Sequence, residues 1–250
     1  TAQFTMKLSV LGSSSSGNGY VLEASDGVLV IECGVPLIEV KKTIDFKIGR
    51  IAGAIVTHRH GDHAKYIGEY YKSGIRVCAL KDVFDAHAPM RRTFCKIIEP
   101  MHGYRIGTFK VFAVPVAHDV PCVGFVIEHA EMGKMLFVTD TMLFEYRFKG
   151  LNHIMLEANY SDEILDYNIE NGITPASMRS RLLTSHMEIK TTEHILQTTT
   201  LDSVDEIILI HLSSKNSDAD AFRQRITQKT GKPVIIAKRG VSVNVSLQPY

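Results

Sequence analysis

The chain has 250 residues, 45% of them hydrophobic and 22% charged, and its 28 Lys and Arg against 27 Asp and Glu leave a net charge of +1. That length buries a sizeable core in one large domain or two small ones, and the near-neutral balance leaves no global electrostatic argument for a nucleic-acid scaffold or a membrane surface. No apolar run approaches the roughly 18–20 residues of a membrane span, no signal-peptide pattern opens the chain, and Cys33, Cys78, Cys95 and Cys122 form no CxxC pair, so reduced thiols, a cytoplasmic location and no membrane partner are expected.

Taken in order, residues 7–11 alternate as a short strand and lead into a loop at 12–19, Gly-Ser-Ser-Ser-Ser-Gly-Asn-Gly. Strands at 20–24 and 28–31 follow, joined by the turn Ser25-Asp26-Gly27, which makes a β-meander. Small polar residues in the first loop, Ser14, Ser15, Ser16 and Asn18, offer donors to an anion or a neighbouring site. A plain hairpin connection is the competing reading. Glu32-Cys33-Gly34 comes next, then helical spacing over 37–44 and a buried strand at 51–56. That strand runs into Thr57-His58-Arg59-His60-Gly61-Asp62-His63.

The spacing then predicts a helix over 64–73, a strand over 75–80 and a helix over 81–88 closed by Pro89. Strands follow at 96–99, 109–116, 123–129 and 134–138, with His118 just beyond the second and Asp140 just beyond the last. A strand at 153–156 ends in Glu157. A helical region over 161–200 holds Ser185-His186-Met187-Glu188 near its middle. Residues 207–210 deliver His211, and a helix at 219–229 and strands at 234–237 and 242–247 finish the chain. No low-complexity linker divides it, so one domain over 1–250, built of two similar halves, is expected.

Three imidazoles and a carboxylate within six positions are a poor choice for packing, because buried polar groups must be satisfied. Metal binding explains the density, and candidate ligands recur at strand ends: the 58–63 cluster, His118, Asp140, Glu157 and His211. His and carboxylate donors without thiolate point to a catalytic site for an ion such as Zn or Mn, not to a closed structural zinc site.

The HxHxDH stretch, followed in order by His118, Asp140 and His211, resembles the metallo-β-lactamase superfamily. The resemblance implies an α/β fold, a four-layer αβ/βα sandwich, and two divalent metal ions, Zn or Mn. It implies that His58, His60 and His118 hold one ion, that Asp62, His63 and His211 hold the second, and that Asp140 bridges them. Asp62 would be both ligand and holder of the nucleophile.

Two further stretches narrow the substrate class. Leu156-Glu157-Ala158-Asn159-Tyr160 resembles the His-Glu-Ala-Thr motif of ribonuclease Z, with Leu156 where that family has His. Ser185-His186-Met187-Glu188 is similar in position to that family's His-Ser-Thr motif, although Ser-Thr does not follow His186 here. The likeness implies that His186 protonates the leaving alkoxide and that Glu157 orients it, as a histidine with a pKa near 6.5 can do at neutral pH. The first loop and His211-Leu212-Ser213-Ser214-Lys215-Asn216 resemble a second branch, compact bacterial proteins regarded as exonucleases. There Ser213, Lys215 and Asn216 would meet phosphate oxygens, with helix capping as the competing role. Glu32-Cys33 stands where the superfamily usually has Asp-Ala, and no long arm for holding tRNA lies between Asp140 and His211.

The expected function is a metal-dependent phosphodiesterase acting on nucleic-acid ends or small nucleotides, cyclic ones included. The alternative is a carboxylic ester, thioester or lactone hydrolase with the same metal centre, and a non-enzymatic binding module is disfavoured because no ligand position is missing. The oligomeric state is left open, a homodimer included.

Overall fold

A computed structural model describes residues 5–87 and 92–247 of the chain. They fall into two compact units, the first comprising the described parts of Thr1–Pro115, Val120–Gly133 and Lys238–Tyr250, the second Val116–Asp119 and Lys134–Ala237.

The first unit opens with strands β1 (Lys7–Gly12), β2 (Gly19–Glu23) and β3 (Val28–Ile31), the expected meander. Helix α1 (Leu37–Thr43) leads to β4 (Ile51–Ile55), and helices α2 (Gly61–Ala64) and α3 (Ile67–Lys72) lead to β5 (Val77–Ala79). Helix α4 (Lys81–His87) leads to β6 (Cys95–Ile97), and the antiparallel pair β7 (Gly103–Ile106) and β8 (Phe109–Val116) precedes β9 (Cys122–His129). The expected end of α4 at Ala88 and Pro89 lies outside the described residues.

The second unit holds four parallel strands, β10 (Gly133–Val138), β11 (His153–Glu157), β12 (Glu206–Ile210) and β13 (Val234–Ile236), in the order β13-β12-β11-β10. Helices α5 (Asp162–Glu170), α6 (Ser177–Ser185), α7 (Ile189–Gln197) and α8 (Ala219–Thr230) complete it. Strand β14 (Ser242–Asn244) returns to the first unit and pairs with β1, giving a seven-stranded sheet ordered β14-β1-β2-β3-β4-β5-β6.

Strand composition follows from these neighbours. A parallel strand covered on both faces reads as an unbroken apolar run, and β12, Glu206-Ile207-Ile208-Leu209-Ile210, is buried at every position. Strand β11, parallel to both neighbours, and β3, antiparallel to β2 and parallel to β4, are likewise buried at every position. No described helix is long and apolar enough to cross a membrane.

Three elements differ from expectation. The helix expected over 64–73 is broken into α2 and α3 because its backbone acceptors are taken. Asp62 O, which would accept from Tyr66 N, accepts from Asn18 N at 2.7 Å, and His63 O accepts from Cys33 N at 2.7 Å. Tyr66 N donates instead to Cys33 O at 3.0 Å. Strand β7 was not expected; it closes a two-residue hairpin whose Gly107 sits at φ +58°, and the signal available was a Gly-X pair between strand-like residues. The helical region over 161–200 is three helices. Between α6 and α7 the chain is extended at His186 (φ −134°, ψ 158°), and Tyr160 forms a parallel bridge with Glu188. His186 therefore stands at a helix end and not within a helix.

Gly34 is where the meander and the ligand loop press together. A Cβ at this position would lie 1.7 Å from Asp62 O and 2.7 Å from Asn18 N, both backbone atoms. Gly34→Ala is expected to lower stability by about 3 kcal/mol or more, read as a lower urea midpoint. A wild-type midpoint would show that this approach is not tight.

Candidate active site

In the first unit the site is built on Glu32, which follows β3 in the left-handed region (φ +67°) and is fully buried. A buried carboxylate needs donors, and the ligand loop supplies them. Thr57 Oγ1 donates to Glu32 Oε1 at 2.6 Å and Thr57 N donates to Oε2 at 3.3 Å. His63 Nδ1 stands 3.2 Å from the same Oε1. Because the Thr57 proton is directed at Glu32, its oxygen is left to accept from His58 Nδ1, 2.9 Å away. The proton on Nδ1 then makes His58 Nε2 a lone-pair donor.

That nitrogen lies 3.0 Å from His60 Nδ1. Two nitrogens bonded to one tetrahedral ion at about 2.0–2.1 Å are roughly 3.3 Å apart, so this pair already has the spacing of co-ligands. His63 Nε2 faces Asp62 Oδ2 at 3.3 Å, and the buried Asn18 amide lies 3.1 Å from His63 Nε2 and 3.3 Å from Asp62 Oδ2. The donor set fits a divalent metal ion: imidazole nitrogens and a carboxylate converge, and a second carboxylate behind them fixes their tautomers.

The second unit repeats the design. Asp140 and His211 each follow a strand in the left-handed region, at φ +51° and +55°. Glu157 ends β11 and is fully buried. Its Oε1 stands 2.8 Å from His186 Nδ1 and 3.1 Å from His211 Nδ1, while Oε2 accepts from Thr141 N at 3.1 Å. Burial pushes the Glu157 carboxyl up, but the charge of His186 and hydrogen bonds from His186 and His211 outweigh it and hold the group below the ordinary range.

Asp140 Oδ2 accepts from Thr139 Oγ1 at 2.7 Å, and Asp140 Oδ1 lies 3.5 Å from His186 Nδ1. Asn159 donates to His211 O at 2.7 Å, and the His186 and His211 rings stack with centroids 5.3 Å apart. Potential ligand atoms of Asp140, Glu157, His186 and His211 all lie within 4.8 Å of one another. His118 Nδ1 meets Ser185 O at 3.1 Å and His118 Nε2 meets Asp119 Oδ1 at 3.0 Å.

The expected substrate contacts divide. Ser15 and Ser16 are exposed and Ser14 half-buried. Asn18, expected to face an anion, is instead buried and committed to Asp62 and His63. Asn216 is likewise buried, its Oδ1 accepting from Asn168 Nδ2 at 3.0 Å and Thr174 Oγ1 at 3.1 Å. Ser213 Oγ accepts from the backbone of Lys215 and Asn216 as a turn former, and the Lys215 side chain is exposed. Both asparagines are internal staples, Asn18 donating through its Nδ2 and Asn216 accepting through its Oδ1.

Sequence reasoning missed several residues. Thr57 signalled itself only by standing between a strand and the first ligand. His87 lies with Nε2 2.8 Å from Arg59 O, and Arg59 Nε is 3.3 Å from Asp82, so α4 braces the ligand loop from outside. His129 and His153 pair with Asp26 and Glu206, and His102 turns to the carbonyl of Pro100.

Thr57→Val removes the hydroxyl that links Glu32 to His58. It is expected to cost about 1–3 kcal/mol in urea unfolding and to weaken metal binding about 10–100-fold in a chelator-competition titration, with Thr57→Ser restoring both. An unchanged metal affinity in Thr57→Val would contradict the bracing role.

Residues 14–74 match the metallo-beta-lactamase superfamily. The chain is 25% identical over 239 residues to exodeoxyribonuclease YycJ of Bacillus anthracis, covering 89% of this chain and 88% of that protein. Its structure resembles the metallo-beta-lactamase fold protein YhfI of Bacillus subtilis (TM-score 0.70, 17% identity, 96% of this chain and all of the other). It also resembles the short form of human tRNase Z (TM-score 0.64, 15% identity, 97% of this chain and all of the other). The resemblance carried by the ligand pattern is thereby borne out: residues 14–74 match that superfamily, and the chain has the α/β fold of these neighbours, with two sheets and helices.

Proposed function

We propose that the chain is a metal-dependent phosphodiesterase that cleaves nucleic-acid ends or small nucleotides in the cytoplasm, and that residues 1–250 act as one hydrolase domain. His58, His60 and His118 would hold one ion and Asp62, His63 and His211 a second, with Asp140 a ligand to both. The His and carboxylate donors suit Zn or Mn. A bound ion pair supplies an acidified water and charge for the phosphoryl oxygens.

The chain's own residues supply the rest. The carboxylate of Asp62 would hold and aim the attacking water. Glu157 accepts the Nδ1 proton of His186 at 2.8 Å, so the ring's transferable proton sits on Nε2. An alkoxide is a poor leaving group, and protonation by a positioned imidazole removes that difficulty. The contact between Glu157 and His186, beside Asp140 and His211, is the observation that carries the phosphodiesterase reading, because a carboxylic ester or lactone makes less demand on a separate acid. A relative named as an exodeoxyribonuclease and a structural neighbour named as a tRNase Z support it.

The test is a panel of short DNA, RNA and cyclic nucleotides, with added Zn or Mn, beside thioesters and lactones. Phosphodiester cleavage is expected to dominate, to vanish on chelation and to return with metal. Asp140→Ala is expected to lose bound metal and turnover together. Preferred cleavage of thioesters or lactones would overturn the substrate assignment, and full turnover by metal-free protein would overturn the mechanism.

A further inference from the structure

Between β10 and β11 the chain runs through residues 139–152 without regular structure, starting at Asp140. An irregular segment of this kind usually carries polar side chains, yet Met142, Leu143 and Tyr146 expose 45%, 45% and 38% of their surface. Exposed apolar side chains gathered in one short segment mark a binding surface more often than a solvated loop.

The segment is also held firmly. Thr141 Oγ1 donates to Leu143 O at 2.7 Å, which folds the chain back just after Asp140. Buried Phe144 anchors the turn, with the rings of Tyr146 and Phe148 at centroid distances of 5.8 and 6.5 Å. Arg147 donates to Phe144 O at 3.2 Å, to Tyr146 O at 3.0 Å and to Thr198 Oγ1, beyond α7, at 2.7 Å. Its guanidinium is engaged in fixing the loop, which presents the apolar side chains of Met142, Leu143 and Tyr146 alongside the exposed Glu145 and Lys149.

Two backbone contacts tie that face to the candidate site. Thr141 N donates to Glu157 Oε2 at 3.1 Å, and Met142 N donates at 3.4 Å to the carbonyl of Ala117, the residue before His118. A nucleotide whose phosphate lies at Asp140 and His186 must place its base on a neighbouring surface. A rigid face of Tyr and Met suits a base of any identity, because every base has a π-face.

We infer that Met142, Leu143 and Tyr146 form a stacking platform for the nucleobase next to the scissile phosphodiester of a single-stranded nucleic acid. The inference rests on the phosphodiesterase reading, and it adds a recognition element that is largely indifferent to sequence. Pre-organisation by Arg147 removes the ordering cost that a mobile loop would impose on binding.

The test compares short single-stranded DNA and RNA oligonucleotides with versions carrying an abasic residue at the cleaved end, using the metal-loaded protein. The wild type is expected to favour the intact base about tenfold in kcat/KM. Tyr146→Ala is expected to abolish that preference, and Tyr146→Phe to keep it. Equal cleavage of intact and abasic strands by the wild type overturns the platform while leaving the phosphodiesterase reading in place. A wild type that cleaves no phosphodiester, bis-p-nitrophenyl phosphate included, overturns both. A dimer that Tyr146→Ala converts to monomer would assign the patch to a second copy of the chain and overturn base recognition.

Discussion

A carboxylate with no access to water must be met by donors, and this constraint organises both compact units. Glu32 and Glu157 are each fully buried and stand at or just beyond the end of a strand. Each is met by groups that themselves belong to the candidate site: Thr57 hydrogen-bonds Glu32, with His63 Nδ1 3.2 Å away, and His186, His211 and the Thr141 amide surround Glu157. Leaving either carboxylate unpaired would cost several kcal/mol on the order-of-magnitude scale for buried charge. These contacts hold the histidines in their observed orientations. Orientation of the ligands follows from satisfying the carboxylates.

The backbone is shaped to the same end. Glu32, Asp140 and His211 all adopt left-handed φ values that disfavour their side chains, a conformation costing on the order of 1–3 kcal/mol per residue. In each case the residue stands just past a strand: Glu32 directly after β3, Asp140 after β10 with Thr139 between them, and His211 directly after β12. The strain persists because strand burial fixes one side of the turn and hydrogen bonding fixes the other. The resulting geometry sets Glu157 Oε1 2.8 Å from His186 Nδ1 and Asp140 Oδ1 3.5 Å from the same nitrogen.

Much of this was legible in the residues. An unbroken run such as Ile207-Ile208-Leu209-Ile210 can only be a covered strand or a buried helix, and its shortness together with His211 at its end decided for the strand. The same pattern recurs at Asp140 and Glu157, which marks both as candidate ligands. What was not legible depended on partners remote in sequence. The break between α2 and α3 arises because Asn18, 44 positions earlier, takes the Asp62 carbonyl, and helical periodicity carries no trace of that. His186 stood within a predicted helical region, and its extended backbone is set by the bridge from Tyr160 to Glu188. Asn18 and Asn216 looked like substrate contacts because a loop amide reads the same whether it faces solvent or closes an internal network.

The central claim is that Glu157 holds His186 to protonate a departing alkoxide. The most direct measurement compares His186→Ala with wild type on matched alkyl and p-nitrophenyl phosphodiesters, with metal content determined for both proteins. The account predicts unchanged metal content, a loss of about 10²–10⁴-fold on the alkyl ester, whose leaving group needs a proton, and a far smaller loss on the p-nitrophenyl ester. Equal losses on the two esters would contradict it.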